Sequence, residues 1–196
     1  MLKKKIKLSL ILIIFISFIQ NVFSLEPNIF VQSTVNRASQ VLSNDSSKSQ
    51  KIEKLKLIAK DTVDIRGVGF YSLGKYRKGL NDSQKKKYSD LFEKYFLKSF
   101  SSRLAEYSNP KINVNSQEKI NENYTIVSSI LVATEKRPEV KIDWRIYTKN
   151  PEKPLIIDVV IEGVSLAKVQ KEEFNSIIQS NNGDVDELLK SLKKFI

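Results

Sequence analysis

The sequence contains neither cysteine nor histidine. Without cysteine the chain has no disulfide framework and no lipid-modified cysteine behind an export signal, so a buried core must supply its stability. The two absences also exclude Ser-His and Cys-His nucleophilic sites, histidine metal sites and the side chain best suited to proton transfer near neutral pH. We therefore predict no metal site, no cofactor and no catalytic residues.

The most apolar stretch lies at the N terminus over residues 8–16, where Ser9 is the one polar side chain. It follows Lys3, Lys4, Lys5 and Lys7. Residues 17–24 end in a small residue, as signal peptidase requires, so we predict a signal peptide over 1–24. A single domain of 25–196 is expected to follow it in the periplasm. The run is shorter than the roughly 20 residues that a membrane span needs. An uncleaved anchor helix is the alternative.

The charge is basic, with 33 Lys and Arg against 22 Asp and Glu, a net +11. Subtracting the four lysines of the predicted signal peptide leaves +7 for residues 25–196. In an exported protein this balance favours phospholipid head groups or acidic protein surfaces over nucleic acid. A basic charge kept for solubility alone is the alternative. The sequence has no heptad seam, so we expect a monomer.

Helical periodicity occupies the first half of the chain. Amphipathic helices are predicted over 28–42 and from 52 to about 62, with short, glycine-rich helical turns over 64–79. Asn81 and Gln84 form a capping-box pattern that opens a long helix. Its apolar stripe is aromatic, and broad flat side chains form either an ordinary core or the wall of an apolar cavity. The stripe contains Tyr88, Phe92, Tyr95, Phe96, Phe100 and Tyr107.

After residue 110 the period changes to two. Strands are predicted around 112–114 and over 124–132, 140–147 and 156–161. The last strand ends at Gly163, and a helix follows from Ser165, with a final amphipathic helix after Asp184. Short connections between consecutive strands predict an antiparallel meander covered by helices, an α+β class.

Three carboxylates lie on or beside these strands: Asp143, Asp158 and Glu162. Alternation places Asp143 on a polar face and Asp158 opposite its apolar neighbours, so solvent exposure or a salt bridge is the expected environment. A buried carboxylate with a raised pKa could move protons on an apolar substrate in a cone-shaped α+β domain. An enzyme of that type is therefore the alternative to a binding protein.

Several segments carry a family resemblance that covers the chain from about residue 63 to the end. They are Val63-Asp64-Ile65, Leu73-Gly74-Lys75-Tyr76-Arg77, Asn81-Asp82-Ser83-Gln84 and Asp158-Val159-Val160-Ile161-Glu162-Gly163-Val164-Ser165-Leu166. This set resembles the MlaC family, also called the toluene-tolerance family. The resemblance implies a periplasmic phospholipid carrier that serves an inner-membrane ABC transporter complex and an outer-membrane lipoprotein complex.

The resemblance also implies an antiparallel twisted sheet of about four strands covered by helices, with an apolar cavity between them that takes the acyl chains. We expect the long helix and the strand faces to line it. The predicted lining comprises Phe92, Tyr95, Phe96, Phe100, Ile126, Ile130, Ile142, Trp144, Val159 and Ile161. A hopanoid or another lipid of flat or chain-like shape is an alternative cargo.

Overall fold

The computed structural model describes residues 25–135 and 137–196; the expected signal peptide lies outside them. The helices are α1 (Pro27–Ser43), α2 (Lys48–Thr62), α3 (Ile65–Ser72), a 3-10 helix (Gly74–Gly79), α4 (Asp82–Leu104), α5 (Leu166–Ser180) and α6 (Val185–Phe195). The strands are β1 (Ile112–Asn121), β2 (Tyr124–Leu131), β3 (Val140–Tyr147), β4 (Leu155–Ile161) and β5 (Val164–Ser165). Within that part of the chain, no helix is both long enough and apolar enough to cross a bilayer.

Local capping explains where the helices begin. Asn81 accepts a hydrogen bond from the Gln84 N–H, and the Gln84 side chain accepts one from the Asn81 N–H, which confirms the predicted capping box. Ser47 and Gln50 form a second one at α2. The long helix ends at Leu104, one turn before the end of its predicted stripe. Tyr107 lies beyond it and is 41% exposed.

The five strands form one antiparallel sheet in chain order, β1-β2-β3-β4-β5, which confirms the α+β class and the meander. Three of the four long strands match their predicted bounds to within one residue. β1 is longer than its predicted 112–114 and extends to Asn121, and β5 adds two residues. The tight β4–β5 turn holds Glu162 at φ 49° and Gly163 at φ 81°. Positive φ at both central positions matches the right-handed twist of a hairpin, and Gly163 adopts it without a steric cost.

The buried apolar residues form two clusters. The sheet cluster packs α1 against one face of the sheet and consists of Phe30, Val31, Val35, Val127, Ile146 and Ile156. The helical cluster is built from residues of the helices α2 through α6. It includes Ala59, Leu73, Tyr88, Phe92, Phe174, Ile178 and Leu188. Val63, at the end of α2, packs against both clusters and pairs with Ile156 of β4. It therefore lies where the two clusters meet.

Candidate functional site

Aromatic side chains on α4 form a row that belongs to the helical cluster or packs against it. The Phe92 ring centroid lies 5.8 Å from that of Tyr88, 6.1 Å from Phe96 and 6.0 Å from Phe174 on α5. Phe96 and Phe100 stack at 5.4 Å with planes only 9° apart. Phe92 is 1% exposed, whereas Phe96 and Phe100 are half-buried. The row therefore runs from solid core at Phe92 toward partly open apolar surface.

The two tyrosines of this row turn their hydroxyls onto polar partners. Tyr88 donates to the Gly69 carbonyl of α3 at 2.7 Å, and Tyr95 donates to Gln170 Oε1 of α5 at 3.0 Å. A Cβ on Gly69 would lie 2.6 Å from the Phe92 ring, so this position needs glycine for α3 to approach α4. Burial raises the pKa of both tyrosines, and for Tyr88 the neighbouring Tyr95 adds to the rise.

The raised pKa of Tyr88 predicts a loss of stability at alkaline pH. The unfolded phenol ionises near pH 10.0, and the folded state resists ionisation. The contribution of Tyr88 to the free energy of unfolding is therefore complete below that pH. It is lost as pH rises above it, by at most about 1.4 kcal/mol per pH unit. We expect the free energy of unfolding, measured with urea, to fall less steeply with pH above pH 10 in Tyr88→Phe than in the unchanged protein. Tyr147→Phe, at an exposed position, is the control, and an equal flattening there would contradict the prediction.

Four of the predicted sheet residues lie together on the face that carries the sheet cluster. Ile142 pairs with Ile161 and Trp144 pairs with Val159 across β3 and β4. Trp144 and Val159 pack against the sheet cluster. The Trp144 indole donates to Ser129 Oγ at 2.8 Å, and Ser129 in turn donates to the Ile142 carbonyl at 3.1 Å. The hydrogen bond fixes the ring while leaving much of its apolar surface available for contact.

Ile126 and Ile130 lie on the opposite face of the sheet. Ile126 pairs with Arg145 and Ile130 pairs with Lys141, whereas Trp144 pairs with Val127. Directly paired residues share a face and successive residues alternate. The ten predicted residues thus occupy two faces of the sheet and one helix.

Tyr95, Phe96 and Phe100 pack against the helical cluster, separate from the group around Trp144. Two open clefts, of about 510 and 390 Å³, lie on the helical part. The smaller is walled by Tyr95, Phe174 and Phe195, and no strand residue lines either cleft. The apolar cavity between sheet and helices and the lipid contacts of the ten residues stay predictions.

The carboxylate of Asp158, on β4, is buried against the first turn of α5. Asp158 is 8% exposed and accepts hydrogen bonds from Ser165 Oγ at 2.6 Å and from the Ala167 N–H at 2.9 Å. Arg145 lies 3.3 Å from the same carboxylate. Of the two predicted environments, solvent exposure or a salt bridge, the salt bridge is observed; the burial and the helix cap were not predicted. The sequence signal for the cap is the tight turn at Gly163, because this turn folds Ser165 back beside β4.

The other two carboxylates are also engaged in local contacts. Asp143 accepts a hydrogen bond from Ser128 Oγ at 2.7 Å and lies 3.7 Å from Lys141 Nζ. Glu162 accepts one from the Lys141 N–H. In residues 25–135 and 137–196, no three His, Cys, Asp or Glu side chains are grouped so that they could hold a metal ion.

Comparison with known proteins places this chain in a family. The model of the MlaC family, described as MlaC protein, matches residues 32–194. Among solved structures, the chain resembles a phospholipid-binding protein from Ralstonia solanacearum determined in complex with a phospholipid. The two share 17% sequence identity with a TM-score of 0.73, over 87% of this chain and 97% of that one, so they share the fold. Because the family model spans most of the sequence, from the first helix to the last, the chain belongs to the MlaC family.

Proposed function

We propose that this protein is a periplasmic phospholipid carrier that moves lipid between the outer membrane and an inner-membrane ABC transporter complex. Membership of the MlaC family supports the carrier class, and the fold shared with a protein solved with bound phospholipid supports the cargo. Transfer between the two membranes, and docking to a transporter complex and an outer-membrane lipoprotein complex, rest on the family resemblance.

The separation of the apolar interior into two clusters is the observation that carries the proposal. The half-buried residues Phe96 and Phe100 border the helical cluster, and Trp144 borders the sheet cluster. Val63 packs against both clusters, so acyl chains inserted where the clusters meet would contact apolar side chains of each. A carrier of this design would take the chains between the clusters, each of which has its own buried residues.

The energetics of lipid transfer require such an interior. Exposing acyl chains to water costs about 0.8 kcal/mol per CH₂, and a phospholipid has on the order of 30 of them. An unshielded lipid therefore does not cross an aqueous compartment at a useful rate. Apolar walls that resemble the bilayer interior bring this cost close to zero without trapping the lipid, which is what a shuttle needs.

Direct analysis of the bound molecule tests the cargo. The protein is purified from a periplasmic fraction without detergent, its intact mass is recorded, and an organic extract is analysed by mass spectrometry. We expect loss of residues 1–24 and a stoichiometric phospholipid. A hopanoid in the extract would replace the cargo, and a protein that is empty and takes up no lipid from vesicles would overturn the carrier.

Variants at the cluster borders test where the chains lie. Trp144→Glu and Phe96→Glu place a charge at the proposed lining, and we expect each to reduce the extracted lipid at least tenfold, because a carboxylate buried against acyl chains is costly. Ile126→Glu places the same charge beside Arg145 on the other face of the sheet, and Leu57→Glu, at a position that is 66% exposed, is the matched control. Loss of lipid from Ile126→Glu alone would place the chains on that face.

The carboxylates support a binding protein over an enzyme. Asp158 is the most buried of the three, and its oxygens are occupied by a hydroxyl, a backbone N–H and a guanidinium. A general base must instead be within reach of a substrate proton. Asp158 acts here as a cap of α5 and a partner of Arg145.

A further inference from the structure

The positive charge of the chain is concentrated in one stretch of sequence. Residues 65–87 contain seven basic side chains and one acidic one, a net +6. Residues 25–64 add +1, and residues 88–196 hold equal numbers of basic and acidic side chains. Residues 65–87, which we call the basic segment, form α3, the 3-10 helix and the first turns of α4. Almost all of the net +7 of residues 25–196 therefore comes from one continuous stretch of sequence.

The structure leaves this charge exposed. Only Lys85 is both half-buried and paired, with Asp82 at 3.3 Å. The other six basic side chains are solvent-exposed and, among the described residues, form no salt bridge: Arg66, Lys75, Arg77, Lys78, Lys86 and Lys87. Asp184 and Asp186 line the larger cleft together with Lys75, and the Asp184 side chain caps α6.

Tyrosine rings lie among these cations. Lys75 Nζ lies 5.1 Å from the Tyr76 ring centroid. Lys171 of α5 lies 5.2 Å from the ring of Tyr71, which is 44% exposed, and adds a further positive charge beside α3. Tyrosine and lysine together are typical of surfaces that meet the head-group layer of a membrane, because the ring is amphipathic and the ammonium contacts phosphate.

We propose that the basic segment is a docking surface for anionic phospholipid bilayers. This inference rests on the proposed carrier function only for its purpose, since a carrier must approach a membrane to exchange lipid. Five of the seven basic residues are lysines, which bind mobile phosphates as point charges, whereas a defined acidic protein surface favours the bidentate geometry of arginine. The segment therefore fits a fluid anionic surface better than a fixed acidic partner.

The expected binding is reversible. Each basic residue near an anionic bilayer contributes a factor of about five to binding, and the attraction falls off within about 10 Å at 0.1 M salt. Exposed Tyr71 supplies limited apolar contact, so electrostatics carries the interaction. A protein held in this way reaches the membrane surface and leaves it again, as transfer requires.

Vesicle sedimentation tests the proposal with the protein purified from the periplasm. The probes are phosphatidylcholine vesicles with or without one-third phosphatidylglycerol, at about 0.02 M and about 0.3 M salt. We expect binding only to the anionic vesicles at low salt. The triple variant Lys78→Gln, Lys86→Gln and Lys87→Gln should bind about 100-fold more weakly, since three such factors are lost.

The matched control removes the same charge elsewhere. Lys54, Lys149 and Lys153 are exposed, form no side-chain hydrogen bond or salt bridge within the described residues, and lie outside the basic segment. Their triple Gln variant should bind within about threefold of the unchanged protein. Equal losses in the two triple variants would assign binding to net charge and overturn the proposal. Failure to bind anionic vesicles, with capture of polyglutamate instead, would overturn it in favour of an acidic protein partner.

Lipid content separates this test from that of the carrier. The triple variant Lys78→Gln, Lys86→Gln and Lys87→Gln should retain the lipid content of the unchanged protein, because these side chains lie outside both apolar clusters. An empty protein that still binds anionic vesicles would overturn the carrier and leave the docking surface. A lipid-loaded protein that does not bind anionic vesicles would overturn the docking surface and leave the carrier.

Discussion

Replacing Phe92 by alanine is expected to lower the free energy of unfolding by about 3–5 kcal/mol. Phe92 is 1% exposed, and its ring contacts those of Tyr88, Phe96 and Phe174. Truncation removes the transfer free energy of the ring and leaves a cavity that the surrounding helices cannot fill without moving. Domains of this size are stable by about 5–15 kcal/mol in total, so the variant should lose a large part of its stability.

Urea unfolding of lipid-free protein measures this effect, because bound lipid would add its own stabilisation. Leu57→Ala is the matched control, since Leu57 is 66% exposed, and we expect a change within about 0.5 kcal/mol. The same experiment decides whether Phe92 belongs to the core or to the lipid-binding surface. A variant that is as stable as the unchanged protein but loses its lipid would show that Phe92 lines the cavity.

Replacing Asp158 by alanine is expected to cost about 2–3 kcal/mol. The change leaves the buried Ala167 N–H without an acceptor and removes the carboxylate cap of α5. It also leaves Arg145 without its partner, although that side chain is 43% exposed and can be hydrated, which limits this part of the loss. The affected element is the β4–β5 turn with the first turn of α5, where hydrogen exchange should increase most.

Two variants distinguish the cap from a general effect of charge. Asp158→Asn keeps an acceptor for the helix N–H and should lose less stability than Asp158→Ala. Asp143→Ala removes a carboxylate from the neighbouring strand. There, Asp143 accepts a hydrogen bond from Ser128 and lies near Lys141, and we expect a cost of at most about 1 kcal/mol. Equal losses for Asp143→Ala and Asp158→Ala would show that the capping geometry has no special role.

Local signals predicted the elements of this fold well. The Asn81 and Gln84 pair, the turn at Gly163 and the helix start near Ser165 are each decided by neighbours within a few residues, and all three are confirmed. Short connections between alternating strands likewise left an antiparallel meander as the simple topology. The family, too, was identified from short segments, and the family model matches residues 32–194.

Pairing between strands decided what the sequence left open. The strand pattern makes both faces of β2 partly apolar, so Ile126 and Trp144 were predicted to share a lining. The observed register instead pairs Ile126 with Arg145 and places Trp144 opposite Val127 on the other face. A one-residue difference in register exchanges the faces of a strand, and register depends on contacts with a partner that is distant in sequence.

The amino-acid sequence by itself determined the helices, the strands, their order, the net charge and its concentration in residues 65–87. Only the tertiary structure decided which apolar residues are core and which lie at a border between clusters, because core and lining positions have the same hydrophobic pattern. It also decided that Asp158 is buried. That burial requires the β4–β5 turn to place the first turn of α5, and the pairing of β3 with β4 to place Arg145, beside the same carboxylate. These features arise from contacts between distant segments, and periodicity within a segment does not encode them.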